Sequence, residues 1–160
     1  MRTLVIGYGN PSRRDDGVAL AVINGLRQRL GLPSLEGNQD GYDDLGHDAD
    51  TLFLQQLMPE LVETLIQYDA VCFVDAHIGI YPEMIRRVPV HPDPDRAMVS
   101  HHVKPAGLLE IAQRLFGWAP RGELISVRGF DFDFGTELTP ETAQAAAQVV
   151  DELWQRVQAR

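Results

Sequence analysis

A short apolar run, a glycine turn and an amphipathic helix follow one another at the start of the chain and constrain its fold. Residues 3–7, TLVIG, are mostly β-branched or aliphatic and end in glycine, which is typical of a buried strand. Gly31 and Pro33 end the helix that follows. Its apolar residues recur at helical spacing, at Val18, Ala21, Val22, Leu26 and Leu30. A strand that enters a helix through a tight turn is the opening unit of an α/β sheet.

The same alternation of strands and helices continues along the chain. Thr139 and Pro140 are typical of a helix start, and Pro89 favours an edge strand. The pattern therefore predicts an α/β fold with a parallel or mostly parallel sheet covered on both faces, and 160 residues suit a single domain. Further strands are predicted over 51–54, 70–76, 83–90 and 123–129, and further helices over 58–65, 106–117 and 139–157.

Charge and cysteine content exclude several classes of function. Lys plus Arg is 14 and Asp plus Glu is 23, and this net charge of −9 argues against nucleic-acid and anionic-membrane binding. The single cysteine, Cys72, permits no internal disulfide and is expected to lie in the core. No signal peptide or membrane span is indicated, so a cytoplasmic protein is predicted.

Residues 34–50, SLEGNQDGYDDLGHDAD, form a polar and acidic stretch dotted with glycines. This composition predicts a surface loop or insertion. The ligand spacing of a calcium-binding EF-hand loop is absent from it.

The turn over 7–16, GYGNPSRRDD, resembles a dinucleotide-binding turn but departs from it. Gly7 and Gly9 fit G-x-G-x-x-G, whereas the third glycine is replaced by Ser12. Asp15 and Asp16 would repel a pyrophosphate at the helix start. A doublet of aspartates suits a cation better, with one side chain capping the helix and the other facing the cleft. A nucleotide-binding enzyme is therefore disfavoured.

Three groups of metal-ligand type lie where the predicted strands and loops lead to one edge of the sheet. They are Asp16, Asp75, and one or both of His101 and His102. In open α/β sheets ligands bind outside the carboxyl ends of the strands, so these side chains are expected to meet there. One imidazole and two carboxylates suit Zn, Ni, Co or Fe with positions left open. Each residue also has an ordinary explanation: a helix cap, a turn or arginine partner, and surface histidines.

The segment 129–135, GFDFDFG, offers a second arrangement of carboxylates. Its phenylalanines and aspartates alternate, which favours a core-packing strand with solvated aspartates over a D-x-D metal site.

Taken together, the motifs GYGNPSRRDDGVAL, QLMPEL, FVDA, SHHVKPAGLLEIAQRLFG and GFDFDFGTELTPET closely resemble those of the [NiFe]-hydrogenase maturation proteases. The likeness covers nearly the whole chain except 34–50 and is greatest to the branch that serves the cytoplasmic bidirectional or NAD-coupled hydrogenases. It implies a three-layer α/β/α fold with a twisted, mostly parallel five-stranded sheet. It also implies an endopeptidase that removes the C-terminal extension of the hydrogenase large-subunit precursor after nickel insertion, with nickel in the precursor as the recognition signal.

The resemblance assigns the site residues by position. The acidic residue of the first motif is Asp16, the strand-end aspartate is Asp75, and the histidine before a helix is His101, with His102 as the adjacent alternative. The nickel is expected to come with the substrate, so the free enzyme is expected to bind metal weakly or not at all. Many relatives carry a histidine where this chain has Gln55, which leaves any role for that histidine in doubt.

Three functions remain open from the sequence. The first is the endopeptidase, in which the carboxylates and imidazole bind nickel of the precursor or, in a rival scheme, Asp16 and Asp75 share a proton as in aspartic proteases. The second is a non-proteolytic nickel-binding checkpoint or chaperone with the same ligands. The third is the disfavoured nucleotide-binding enzyme.

Overall fold

A computed structural model describes residues 1–96 and 103–159 and shows a five-stranded sheet between two layers of helices. The strands are β1 (Thr3–Tyr8), β2 (Ala49–Leu54), β3 (Ala70–His77), β4 (Ile85–Val90) and β5 (Arg121–Arg128). The α-helices are α1 (Val18–Arg29), α2 (Val62–Leu65), α3 (Pro105–Phe116) and α4 (Pro140–Gln158). Short 3-10 helices cover Arg14–Gly17, Tyr42–Asp44, Pro59–Leu61 and Pro94–Arg96.

The strand order is β2-β1-β3-β5-β4, and only β4 runs antiparallel to its neighbour. The predicted α/β fold with a mostly parallel sheet is thereby confirmed. β4 lies at an edge, where Pro89 removes no hydrogen bond needed by a further strand.

Each face of the sheet has its own apolar core. Helices α1 and α4 cover one face and α2 and α3 the other. Gly7 lets α1 approach β1 closely, since a Cβ there would lie 2.8 Å from Cγ1 of Ile23. Cys72 is 4% exposed in the first core, the one between the sheet and helices α1 and α4, as the sequence predicts. Burial raises the pKa of its thiol to about 12. No helix of the described residues is both long enough and apolar enough to span a bilayer.

The order of the strands sets the place of the site. The chain passes from β1 to β2 on one side and then returns to β3 on the other side of β1. The carboxyl ends of β1 and β3 therefore form a switch point, where α/β sheets open a crevice for ligands.

The acidic segment is more ordered than a free surface loop. β2 begins at Ala49, two residues before the predicted strand, so the end of the 34–50 stretch belongs to the sheet. The fully buried guanidinium of Arg27 donates hydrogen bonds to Pro33 O at 2.7 Å and Asp44 Oδ2 at 2.6 Å. Because a buried cation needs such partners, Arg27 fixes the path of this stretch.

The prediction of a strand over 129–135 is wrong. This segment forms an irregular loop, with Phe134 81% exposed and Phe130 46% exposed. The local alternation was overridden because backbone N–H groups in the middle of the loop bond to the carboxylates of Asp15 and Asp131, while its two ends bond to the backbone of β3 and of the opening turn.

Candidate active site at the carboxyl edge of the sheet

The two aspartates of the opening turn point in different directions and have different tasks. Asp15 is fully buried, whereas Asp16 is only half-buried. The carboxylate of Asp15 accepts hydrogen bonds from the N–H groups of Phe130 at 2.8 Å, Asp131 at 3.2 Å and Thr139 at 2.8 Å. The hydroxyls of Thr139 and Thr142 donate to it as well, at 2.7 and 3.1 Å. Asp15 thus joins the opening turn to the start of α4.

The expectation that one aspartate caps the helix after the turn is wrong for α1. The N-terminus of that helix has no side-chain cap, and Asp15 bonds instead around Thr139, which is the N-cap residue of α4. Burial alone would raise the pKa of Asp15, but the hydrogen bonds from Phe130 and Thr139 outweigh it and hold the pKa below its usual value. Asp15 is therefore a structural anion that needs no cation.

Asp16 is held at the mouth of the switch point by the backbone of the glycine turn. The N–H of Asn10 donates to its Oδ2 at 2.9 Å and leaves its other oxygen without a bond from the described residues. Gly9 passes so close that a Cβ there would lie 2.2 Å from the carbonyl oxygen of Asp16. Its φ of +147° is also one that side-chain-bearing residues rarely adopt. The second glycine of the turn thus positions a carboxylate instead of a phosphate.

Asp75 lies across from this turn on β3. The strand continues to His77, so Asp75 stands within it and not at its last residue, contrary to the predicted strand end. Its carboxylate accepts from its neighbour Ala76 N–H at 2.7 Å and from the hydroxyl of Tyr8. The pKa of Asp75 is raised to about 6. Burial is the largest cause and the negative charge of Asp16 adds to it, against the Ala76 and Tyr8 hydrogen bonds and the cation of Lys104.

Tyr8 is a site residue that the sequence analysis did not single out. In the parallel register Gly7 lies beside Val74, which sets the last residue of β1 next to Asp75. The ring packs on the second core while burial and the charge of Asp75 raise the pKa of its phenol, so it stays a neutral donor. An aromatic residue between two glycines at a strand end was the available signal.

The proposed third ligand cannot be placed in the same way. His101 and His102 lie outside the described residues. Within 1–96 and 103–159, no three His, Cys, Asp or Glu side chains are gathered so as to hold a metal ion. Lys104, the second described residue after that segment, is near enough to act electrostatically on Asp75. The structure therefore brings Asp16 and Asp75 to one edge and leaves the histidine a prediction.

Three further polar side chains, those of Gln55, Asp131 and His77, have structural contacts. Gln55 donates to Gly37 O at 3.3 Å and so contacts the acidic segment. Asp131 of the 129–135 loop pairs with Arg14, which removes it as a free ligand. The ring nitrogens of His77 contact Ser126 Oγ at 2.8 Å and Glu83 O at 2.7 Å, which ties the 78–84 loop to β5.

Comparisons with known proteins identify this fold among solved structures. No protein-family model matches the chain, and no curated protein matches its sequence. The hydrogenase maturating endopeptidase HybD from E. coli superposes with a TM-score of 0.70 at 18% identity, over 99% of this chain and 93% of that chain. The [NiFe] hydrogenase maturation protease HycI from Thermococcus kodakarensis gives 0.67 at 18%, over 98% and 92%. A hydrogenase 2 maturation peptidase from a Thaumarchaeota archaeon gives 0.64 at 23%, with both chains fully covered. At these identities the likeness establishes the shared fold.

Proposed function

We propose that this chain is an endopeptidase that removes the C-terminal extension of a [NiFe]-hydrogenase large-subunit precursor once nickel has been inserted. The observation that carries the proposal is the pair of carboxylates at the switch point, where the charge of Asp16 acts on the partly buried Asp75. The fold that the chain shares with solved hydrogenase maturation proteases supports it. So do the motifs that hold both aspartates.

The carboxylates suit a cation that arrives with the substrate. Neither Asp16 nor Asp75 forms an ion pair with an arginine or lysine among the described residues, although Asp75 is largely removed from water. An incoming divalent ion would relieve their repulsion, and carboxylates together with imidazole are suitable nickel ligands. His101, three residues before Lys104, is the proposed third ligand, with His102 as its neighbour.

Nickel of the precursor would report that the metal is loaded and would hold the scissile bond beside the two aspartates. A carboxylate that is not engaged by the ion would then act as general base for the attacking water. The rival scheme, in which the two aspartates share a proton, is less well supported because no hydrogen bond joins them within the described residues.

The client is proposed to be a cytoplasmic hydrogenase of the bidirectional or NAD-coupled type. The motifs of the chain support this assignment, and its acidic stretch over 34–50 distinguishes it from many relatives. Location in the cytoplasm is part of the same proposal.

Intact-mass measurement of the precursor tests the proposed function. We expect the purified chain to shorten a nickel-loaded large-subunit precursor at its C-terminus and to leave the nickel-free precursor intact. Binding of the nickel-loaded precursor without loss of mass would point to a checkpoint protein instead. The proposal would be contradicted if the chain neither bound nor cleaved the nickel-loaded precursor.

A further inference from the structure

Most arginines of the described residues pair with a carboxylate, and the exceptions are concentrated near the candidate site. Arg13, Arg86, Arg121 and Arg128 form no such pair within 1–96 and 103–159. Ion pairs are formed by Arg2, Arg14, Arg27, Arg29, Arg87, Arg96, Arg114 and Arg156. In a chain of net charge −9, unpaired arginines are an unexpected local excess of positive charge.

Three of these four arginines stack on aromatic side chains. Arg13 lies 4.5 Å from the ring centre of Phe134, and Arg86 lies 4.0 Å from that of Tyr81. Arg128 lies 4.8 Å from the ring centre of Phe130. The three rings are exposed, by 81% for Phe134, 46% for Phe130 and 41% for Tyr81. We name these three stacked pairs the arginine–aromatic rim.

The rim borders the candidate site through three connected segments. The turn that bears Asp16 is bonded to the 129–135 loop by Arg14 N–H to Gly135 O at 2.9 Å. That loop is bonded in turn to the end of β3 by Gly129 N–H to His77 O at 2.8 Å. The rim therefore follows the same edge of the sheet on which Asp16 and Asp75 lie.

Arg128 is incompletely satisfied in the free chain. Its Nη1 donates to Pro82 O at 3.3 Å, and its Nε is buried with no hydrogen-bond partner in the described residues. A buried donor without a partner costs free energy, which a carboxylate bound to the same guanidinium would offset.

The chemistry of the rim defines what it binds. An arginine stacked on a ring keeps its planar fork free for a carboxylate and loses little further side-chain entropy on binding. The exposed rings, together with Ile78 at 59% and Ile80 at 75% exposure, add apolar contact area. Glu83 and Asp133 lie on the same segments but form no ion pair with the three arginines. The rim thus offers cations and apolar surface together.

We propose that the arginine–aromatic rim docks an acidic segment of the precursor polypeptide that also carries apolar side chains. This inference rests on the proposed function for the identity of the partner. It assigns substrate affinity to the rim and leaves the chemical step to Asp16 and Asp75.

Steady-state cleavage of the nickel-loaded precursor by an Arg13→Gln/Arg86→Gln variant tests the docking proposal. We expect KM to rise about tenfold while kcat stays within about twofold, because a tenfold change is about 1.4 kcal/mol and is shared here between two exposed charge contacts. The salt dependence of KM should also become shallower than that of the wild-type chain. Arg121→Gln is the matched control, since Arg121 is an unpaired arginine at the opposite edge of the sheet, and it should behave as wild type.

The dissociation constant for the same precursor separates this proposal from the proposed function. If the wild-type chain binds the precursor without cleaving it, the proposed function fails, and a tenfold weaker affinity of the double variant still supports the rim. Unchanged KM, affinity and salt dependence would overturn the docking proposal while cleavage by the wild type stands. The docking proposal would also be overturned if the wild-type chain did not bind the precursor. The same holds if the double variant differed from wild type only in self-association, measured by sedimentation of the chain alone, since the rim would then cover a second copy.

Discussion

Two aspartate–tyrosine pairs lie at opposite edges of the sheet, and within the described residues only one of the two carboxylates has a cation paired with it. At the amino edge, Asp50 accepts from Gly46 N–H at 2.9 Å and from Tyr68 Oη–H at 2.6 Å, and Arg2 lies 3.5 Å away. At the carboxyl edge, Asp75 receives bonds from Ala76 and Tyr8 alone among residues 1–96 and 103–159, and the charges of Asp16 and Lys104 both act on it.

The comparison separates a carboxylate that stabilises the fold from one that strains it. Asp50 is 2% exposed and surrounded by donors, so its negative charge is balanced within the chain. Asp75 forms no ion pair with the part of the chain that the structure describes, and its pKa is raised to about 6, by burial first and also by the charge of Asp16. We infer that Asp75 is kept for a cation that comes from outside, and perturbed carboxylates of this kind are typical of functional sites.

The largest difference is expected in precursor cleavage by Asp75→Asn and Asp50→Asn. Asp75→Asn should lower the rate at least about 1000-fold, because the amide loses the charge with which Asp75 is proposed either to bind the nickel or to activate water. Asp50→Asn should cleave the precursor at a rate within about threefold of wild type under conditions in which the variant is folded. Intact-mass measurement of the precursor gives the cleavage rate of each variant. Equal losses of cleavage rate in the two variants would remove the functional distinction between the two edges.

Gly9→Ala tests whether the turn positions Asp16. A Cβ would lie 2.2 Å from the backbone carbonyl oxygen of Asp16, so the backbone of the turn must shift and carry the carboxylate with it, and cleavage should fall about 100-fold. Gly31→Ala is the control, because Gly31 also has a positive φ, of 78°, but open space around its Cβ position. The control should lose about 1 kcal/mol of stability and keep its cleavage rate. A Gly9→Ala chain that cleaves at the wild-type rate would show that the turn is not needed for positioning.

Asp15→Asn should lower the stability of the fold, as we expect for Asp50→Asn and not for Asp75→Asn. Replacing the anion that accepts five hydrogen bonds should cost about 2–3 kcal/mol of unfolding free energy. Because the folded-state pKa of Asp15 lies below its usual value, its contribution is present above its unfolded pKa and is lost as pH falls through the folded one. Urea unfolding between pH 2 and 7 should therefore show a steeper acid loss in wild type than in the variant. A parallel acid loss in both chains would rule out the low pKa, and exposed Asp133→Asn serves as the neutral control.

The smallest effects are expected for the two tyrosines. Tyr8→Phe removes the hydroxyl from Asp75 and should lower cleavage about threefold to tenfold with little change in stability. Tyr68→Phe removes the 2.6 Å bond to Asp50 and should cost about 1 kcal/mol of stability with unchanged cleavage. Measurements of kcat/KM and of melting temperature on both variants distinguish these outcomes. Loss of stability alone in Tyr8→Phe, with loss of cleavage alone in Tyr68→Phe, would contradict the functional role of the carboxyl edge and the structural role of the amino edge.

The fold could be predicted from the sequence because periodicity and composition agree along the chain. The apolar strands, the edge strand with Pro89 and the helix that starts at Thr139 and Pro140 all follow from local rules. The 129–135 loop was missed because its alternation is real, while the long-range hydrogen bonds that its N–H groups donate to the Asp15 carboxylate determine its path.

The site could be predicted only in part. Asp16 and Asp75 follow from the rule that ligands bind at the carboxyl edge of the sheet, and the structure brings them to that edge. The sequence predicted different tasks for the two aspartates of the opening turn but not that Asp15 bonds around Thr139, since this partner is distant in the sequence. Tyr8 was missed for the same reason, because its partner lies on another strand.

The unfolding free energy of Asp75→Asn and Asp50→Asn at pH 7.5 tests most directly whether the two edges differ as described. Since the folded-state pKa of Asp75 lies above its ordinary value, wild-type stability falls as pH rises from about 4 to 6, and the variant escapes this loss. We expect Asp75→Asn to be more stable than wild type by about 1–2 kcal/mol and Asp50→Asn to be less stable by about 1–3 kcal/mol. If Asp75→Asn were as destabilised as Asp50→Asn, Asp75 would be a structural carboxylate and the central claim would be contradicted.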